Sequence, residues 1–144
     1  MILFILAGLS LAIWVVLVFF RGQFWRADQC LAAISTPLTN PPSVVAIIPA
    51  RNEEMTIGRT ITSLLAQNYP GDFSITMVDD NSDDDTANAA KIAAQGMDRV
   101  TMLDGSDPPQ GWTGKMWAVA QGITAATAQF PSATYYLLTD ADIA

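Results

Sequence analysis

Four short clusters hold the side chains best placed for chemistry: Arg51-Asn52-Glu53, Asp79-Asp80, Lys115 behind the loop Gly111-Trp112-Thr113-Gly114, and Asp140-Ala141-Asp142. Two carboxylates spaced as D-x-D form a hard-oxygen set suited to Mg²⁺ or Mn²⁺. Such ions take one or two carboxylates and leave coordination positions for substrate phosphates and water. Asp79 and Asp80 are of a type that accepts hydrogen bonds from a base N–H or from ribose hydroxyls. Lys115, placed at the start of a helix, is disfavoured by the helix dipole unless an anion such as a diphosphate sits nearby. The absent residues narrow the field further. With no histidine, Ser-His-Asp triads, imidazole acid–base catalysis and His-ligated zinc are excluded. The single Cys30 excludes a disulfide framework and any paired-cysteine redox or metal site. Neither a G-x-G-x-x-G dinucleotide fingerprint nor a G-x-x-x-x-G-K-[ST] phosphate loop is present.

A D-x-D pair alone carries little weight. Aspartate fills 12 of 144 positions, so chance supplies about one such pair, and Asp83 with Asp85 forms another. Position sets Asp140 and Asp142 apart, because they directly follow the apolar run Tyr135-Tyr136-Leu137-Leu138. Two of the other clusters also follow apolar runs. Val44 to Ile48 reads as a strand buried on both faces, stopped by Pro49. Phe73 to Val78, Arg99 to Leu103 and Thr134 to Thr139 read as three more strands. Helical spacing of apolar residues marks Glu53 to Gln67, Asp83 to Gln95 and Lys115 to Ala128, with Gly96 at the end of the second helix. Asp83, Asp84 and Asp85 fall in the expected first turn of that helix, where the dipole favours anions, and read as structural. Trp112 and Trp117 read as packing. Strands alternating with helices imply a mostly parallel α/β sheet, in which ligands bind beyond the carboxyl ends of the strands. Arg51-Asn52-Glu53, Asp79-Asp80 and Asp140-Ala141-Asp142 lie there.

The chain carries 7 basic and 14 acidic residues, −7 overall. Two of the basic residues, Arg21 and Arg26, flank the uncharged run Ile2 to Phe20, so the remainder is more acidic still. An acidic body with no basic stripe excludes nucleic acid as a partner, since phosphate neutralisation supplies most of that affinity. The 19-residue run is long enough to cross the roughly 30 Å hydrocarbon core as a helix. Basic residues after the run place the following chain in the cytoplasm, with Phe24 and Trp25 suited to the interface. Residues 1–26 are thus expected to be a single-pass anchor with its basic flank. Residues 27–42, ending in Pro37, Asn40, Pro41 and Pro42, are a linker, and 43–144 form the globular part.

These motifs, in this order, resemble the family 2 glycosyltransferases with a GT-A fold. Val44 to Glu54 is similar to that family's first strand and P-x-x-N-E loop, and Ser63 to Pro70 to its S-L-L-x-Q-x-Y-P helix end. Val78-Asp79-Asp80-Asn81-Ser82 with Asp85-Thr86 is similar to V-D-D-x-S-x-D-x-T, and Asp140-Ala141-Asp142 to the D-x-D. Pro109 to Ala118 further resembles glycosyltransferases associated with hopanoid biosynthesis, which also begin with a membrane segment. The resemblance implies the nucleotide-binding half of a Rossmann-like GT-A sheet behind one transmembrane helix, at a bacterial inner (cytoplasmic) membrane. It implies inverting transfer from a nucleoside-diphosphate sugar, read as a UDP-sugar, towards a lipid-type acceptor. Pro49, Arg51, Asn52, Glu53, Asp79, Asp80, Lys115 and Asp140 would line the nucleotide-sugar site, with Asp79 or Asp80 on the base and Glu53 towards the ribose. Asp140 and Asp142 would hold ribose and divalent metal. The family's general base and Q-x-x-R-W motif lie in a following acceptor-binding half, expected beyond Ala144, so no catalytic base is assigned and 43–144 reads as the donor-binding part. Two other readings compete. One is a nucleotide-binding fragment or subunit without turnover; the other is a sugar nucleotidyltransferase, disfavoured because the loop after the first strand has no glycine.

Overall fold

The computed structural model describes residues 1–21, 26, 30 and 38–143. Phe24, Trp25, Pro37 and most of the expected linker lie outside the described residues. So does Ala144, the position beyond which the general base is expected, and the description of the globular part ends at Ile143 instead. The chain divides into two compact units, 1–37 and 38–144. In the first, α1 (Ile2–Phe20) is a single helix of 19 residues with mean hydropathy 2.9 and no buried residue. It is long and apolar enough to cross a membrane.

The second unit is a four-stranded sheet in the order β3-β2-β1-β4, every pair parallel. Its strands are β1 (Val44–Ala50), β2 (Phe73–Asp79), β3 (Val100–Asp104) and β4 (Tyr135–Leu138), and its helices α2 (Ile57–Leu65), α3 (Thr86–Ala94) and α4 (Gly114–Gln129). Alternation along β1 divides the core. Ala46, Ile48 and Ala50 meet Ile57, Ile61 and Leu64 of α2 and Ala90 of α3 on one face. Val45 and Ile47 meet Ala126 of α4 on the other. Both faces of β1 are therefore dry, which explains its unbroken apolar run.

The expected end of β1 at Ile48 is corrected, because the strand passes through Pro49 to Ala50. The Ile47 carbonyl accepts from Thr139 N–H on the β4 side, while that of Ala50 accepts from Asp80 N–H on the β2 side. By alternation Pro49 faces the β4 side, just past the last β1–β4 register pair, Ile47 with Leu138. Its missing donor is not needed there.

Two helices start later than the periodicity suggests, for one shared reason. Residues 52–54 and 82–86 spend their polar groups on each other. Asn52 N–H donates to Ser82 Oγ at 3.0 Å, Asp83 N–H to Asn52 Oδ1 at 2.8 Å, and Glu53 N–H to Thr86 Oγ1 at 2.7 Å. Asn52 and Asn81 adopt positive φ, 56° and 54°, to make this double loop. Asp83, Asp84 and Asp85 thus precede α3 instead of forming its first turn. At the other end of α3, Gln95 itself is left-handed at φ 50°, one residue before Gly96 at φ 70°. The remaining boundaries shift by one or two residues: α2 stops at Leu65, β2 and β3 each reach one aspartate further, and β4 is shorter at both ends. The short Tyr69-Pro70-Gly71 return after α2 is anchored where the Tyr69 hydroxyl donates to the Pro42 carbonyl at 2.6 Å.

On α4 the buried residues Ala118, Gly122 and Ala126 are spaced by four, a stripe of small residues against the sheet. A Cβ on Gly122 would lie 2.6 Å from Ile47 Cγ2 and 3.0 Å from Val78 Cγ2. Gly122→Ala is expected to cost about 1–2 kcal/mol despite the better helix propensity of alanine. Thermal unfolding should show the loss as a lower melting temperature.

Candidate functional site

The sheet order reverses between β1 and β4: β2 and β3 are added on one side of β1 and β4 on the other. A crevice is expected at such a point, outside the carboxyl ends of the strands. A cleft of about 410 Å³ opens there. It is lined by Pro49 at the end of β1, Arg51 and Glu53 after it, Asp80 after β2, Lys115 at the start of α4, and Asp140 and Asp142 after β4. Seven of the nine site residues expected from the sequence are thus brought together from four chain segments.

The other two are not. The sequence does not separate Asp79 from Asp80, but only Asp80 faces the cleft. Asp79 Oδ1 accepts the Ser82 N–H at 3.1 Å and closes the turn after β2. Asn52, at positive φ, turns its side chain to the Asp83 N–H in the double loop and does not line the cleft. Both residues shape the rim from behind.

Asp80 is only 5% exposed. Its place depends on a glycine, since a Cβ on Gly114 would lie 2.7 Å from Asp80 Oδ2. Gly114 is the first residue of α4, so the buried carboxylate sits against a helix N-terminus, where the dipole favours an anion. Sequence shows a loop glycine there but not the carboxylate that requires it. Lys115 follows, and its ammonium donates to Asp140 Oδ1 at 2.6 Å. The pair is well exposed, 63% and 56%. The anion that a lysine at this helix position calls for is thus supplied by the protein. The hydrogen bond and charge of Asp140, with smaller contributions from Asp142 and Glu53, raise the Lys115 pKa above its ordinary value.

The Asp140-Ala141-Asp142 turn is held through its middle. Ala141 is 4% exposed and packs with the α2 side of the core, leaving the flanking aspartates on the cleft. Its carbonyl accepts the hydroxyl of Thr60, a buried residue of α2, at 2.7 Å. The one sequence signal for Thr60 is its place in the buried stripe Ile57, Thr60, Ile61, Leu64, where a polar residue asks for a partner.

Glu53 is held through its backbone. Its N–H donates to the Thr86 hydroxyl, which in turn donates to Asp84 Oδ1. Asp84 also accepts the Thr86 N–H at 3.1 Å and the Glu54 N–H at 3.2 Å. Counted from Val78, the aspartate of V-D-D-x-S-x-D-x-T falls on Asp84, and Asp84 rather than Asp85 makes these bonds. The Thr86 hydroxyl, then the backbone donors, hold its carboxyl below the ordinary carboxylate range. Trp112 and Trp117 stack edge to face, ring centres 5.3 Å apart, and Trp117 Nε1 donates to Ser106 Oγ at 3.2 Å. Neither lines the cleft.

Two cationic side chains face four carboxylates, leaving an excess of two negative charges in the cleft. Among the described residues no three Asp, Glu, His or Cys side chains are grouped closely enough to hold a metal alone. Asp140 and Asp142 nevertheless fit an ion of the Mg²⁺ type, which is bound through one or two carboxylates and substrate phosphates. A divalent cation entering with a diphosphate would offset this surplus.

The model of the family described as "Glycosyl transferase family 2" matches residues 45–144. The 4,4'-diaponeurosporenoate glycosyltransferase of Staphylococcus aureus (strain bovine RF122 / ET3-1) is 39% identical over 85 residues, covering 59% of this chain and 21% of that one. The protein of the same name from strain USA300 is 38% identical over the same coverage. The chain spans about a fifth of the length of these curated relatives. Among solved structures, S. aureus TarS 1–349 superposes with a TM-score of 0.55 at 23% identity, over 69% of this chain and 27% of that one. Mannosyltransferase PcManGT from Pyrobaculum calidifontis, in complex with GDP-Man and Mn²⁺, gives 0.50 at 24% identity, over 75% and 31%. These likenesses show the fold, a parallel α/β arrangement of the GT-A type.

Asp84→Asn should loosen the double loop and lower the melting temperature at neutral pH. A carboxyl depressed in the folded state stabilises above its unfolded pKa and loses that contribution as pH falls through its folded value. The gap between wild type and variant should therefore close in melts run from pH 7 to below about 4. A gap unchanged at acid pH would assign the loss to something other than the carboxylate.

Proposed function

The chain belongs to glycosyl transferase family 2, and on that premise we propose that residues 43–144 bind the donor of a membrane-anchored inverting glycosyltransferase. The donor is a nucleoside-diphosphate sugar, with UDP as the nucleotide. The observation that carries this reading is the convergence of Glu53, Asp80, Lys115, Asp140 and Asp142 on one cleft where the sheet order reverses. A solved structure of TarS 1–349 holds UDP-GlcNAc, at a TM-score of 0.52 and 20% identity, covering 69% of this chain and 26% of that one. That neighbour and the GDP-Man complex support a nucleotide-sugar partner.

In this reading Asp80 accepts from the base, Glu53 lies towards the ribose, and Arg51 and Lys115 meet the diphosphate. Pro49 forms part of the wall. Asp142, with Asp140, would hold Mg²⁺ or Mn²⁺, which when bound stabilises charge on the leaving diphosphate. Lys115 exchanges its Asp140 partner for phosphate oxygens, freeing that carboxylate for ribose or cation. In the transfer itself an acceptor hydroxyl attacks the anomeric carbon, the bond from that carbon to the diphosphate breaks, and the nucleoside diphosphate leaves with the electron pair. The hydroxyl proton goes to a general base, which the family resemblance assigns to chain following the D-x-D, beyond Ala144.

The 19-residue apolar helix supports attachment to the cytoplasmic face of a bacterial inner membrane and an acceptor of lipid type. The likeness of residues 109–118 to hopanoid-associated transferases, and relatives named for 4,4'-diaponeurosporenoate, are consistent with such an acceptor.

Isothermal titration of the full chain in detergent micelles with UDP, with and without Mn²⁺, tests the reading. Binding is expected and should tighten with Mn²⁺, and Asp142→Ala should return affinity to the metal-free level. Lys115→Met should weaken binding by about tenfold, the loss of one charge-assisted contact. No UDP binding under either condition would overturn the reading, and tighter binding of UTP than UDP would favour nucleotidyl transfer.

A further inference from the structure

Threonines inside helices usually turn their hydroxyls back to the carbonyl four residues earlier. Thr62, Thr124 and Thr127 all do so, donating to Gly58, Ala120 and Ile123 at 2.8, 2.9 and 2.7 Å. Thr60 does not. Its proton goes 81 residues along the chain to the Ala141 carbonyl at 2.7 Å, and at 1% exposure it has no water to fall back on. The acceptor is the middle peptide of the D-x-D turn. Ala141 is buried against the same core face as Ile57 and Ile61, so the turn is held by one hydrogen bond and one methyl group. The same helix follows directly from the turn at Glu53, whose carbonyl accepts Thr56 N–H and Ile57 N–H at 3.0 and 2.9 Å. One rigid element therefore fixes the spacing between Glu53 and the two aspartates across the cleft.

We propose that Thr60 is a positioning residue for the D-x-D turn: its buried hydroxyl sets where Asp140 and Asp142 stand, and through them how a divalent cation is held beside the diphosphate. The inference rests on the donor-binding reading given above. Removing the hydroxyl while keeping the volume leaves the core filled but the Ala141 carbonyl buried without its donor, and the turn shifts to find another. The cation, which needs both carboxylates in register, is sensitive to that shift. Asp80 and Glu53 are carried by other segments and keep their places, so metal-free UDP loses at most the small part of its affinity that runs through Asp140.

The test compares Thr60→Val, which keeps the shape, with Thr60→Ser, which keeps the hydroxyl, in the full chain in micelles. UDP titrations with and without Mn²⁺ give the first readout. Thr60→Val is expected to lose about fivefold of the Mn²⁺-dependent gain, the worth of one buried hydrogen bond, while metal-free UDP affinity stays within about twofold. Thr60→Ser should retain the gain. A second readout needs no ligand: the carbonyl carbon resonance of Ala141 should move in Thr60→Val and stay near its wild-type position in Thr60→Ser. The proposal is overturned if Thr60→Val keeps the full Mn²⁺ gain, if the loss is equal with and without metal, if Thr60→Ser loses as much as Thr60→Val, or if the Ala141 resonance does not move. If wild type binds no UDP, the donor reading fails, and an Ala141 shift in Thr60→Val alone would still leave Thr60 as the anchor of this turn.

Discussion

Everything in the globular unit depends on β1 being covered on both faces and paired on both edges. A strand in that position has no freedom of register: a slip by one residue would exchange Ala46 and Ile48 for Val45 and Ile47, which face different helices. With β1 fixed, β2 and β4 are laid parallel on either side, and their carboxyl ends fall at one edge. The acidic residues need no attraction for one another to meet. They are carried to a common rim by apolar segments that end there, against their mutual repulsion.

That repulsion is offset locally. Asp80 lies by the N-terminus of α4, Asp140 lies on Lys115, and Asp84 is met by the backbone of the neighbouring loop and a threonine hydroxyl. What is left is a surplus of two negative charges facing an open cleft. A stable protein tolerates such a surplus on its surface because water screens it; an incoming diphosphate does not find it neutral. A cation arriving with that anion would offset the surplus.

The strands were legible because each is a short apolar run bounded by polar residues, and the parallel arrangement followed from their alternation with helices. The clusters beyond Val78 and Leu138 were legible because each follows an apolar run that forms a strand, buried in β2 and exposed in β4. Three things were not. Pro49 looked like a strand end, since sequence does not show which edge of β1 loses its partner first. Asp79 and Asp80 looked equivalent, since only backbone geometry tells which of two adjacent side chains turns back to cap Ser82. Asp83 to Asp85 looked like a helix start because the competing partner, the loop at 52–54, lies thirty residues upstream. For Pro49 and for Asp83 to Asp85 the missing information was a long-range contact; for Asp79 it was a turn closed three residues on.

Gly122 has a meaning beyond tight packing. With no side chain between α4 and the sheet, the helix rests directly on Ile47 and Val78. Its first turn, eight residues away, stands about 12 Å along the same rigid rod. That first turn carries Gly114 and Lys115. The thickness of the hydrophobic interior is therefore a calliper for the mouth of the cleft. A bulkier side chain at 47, 78 or 122 would press on the same helix that carries the lysine, without touching any ligand.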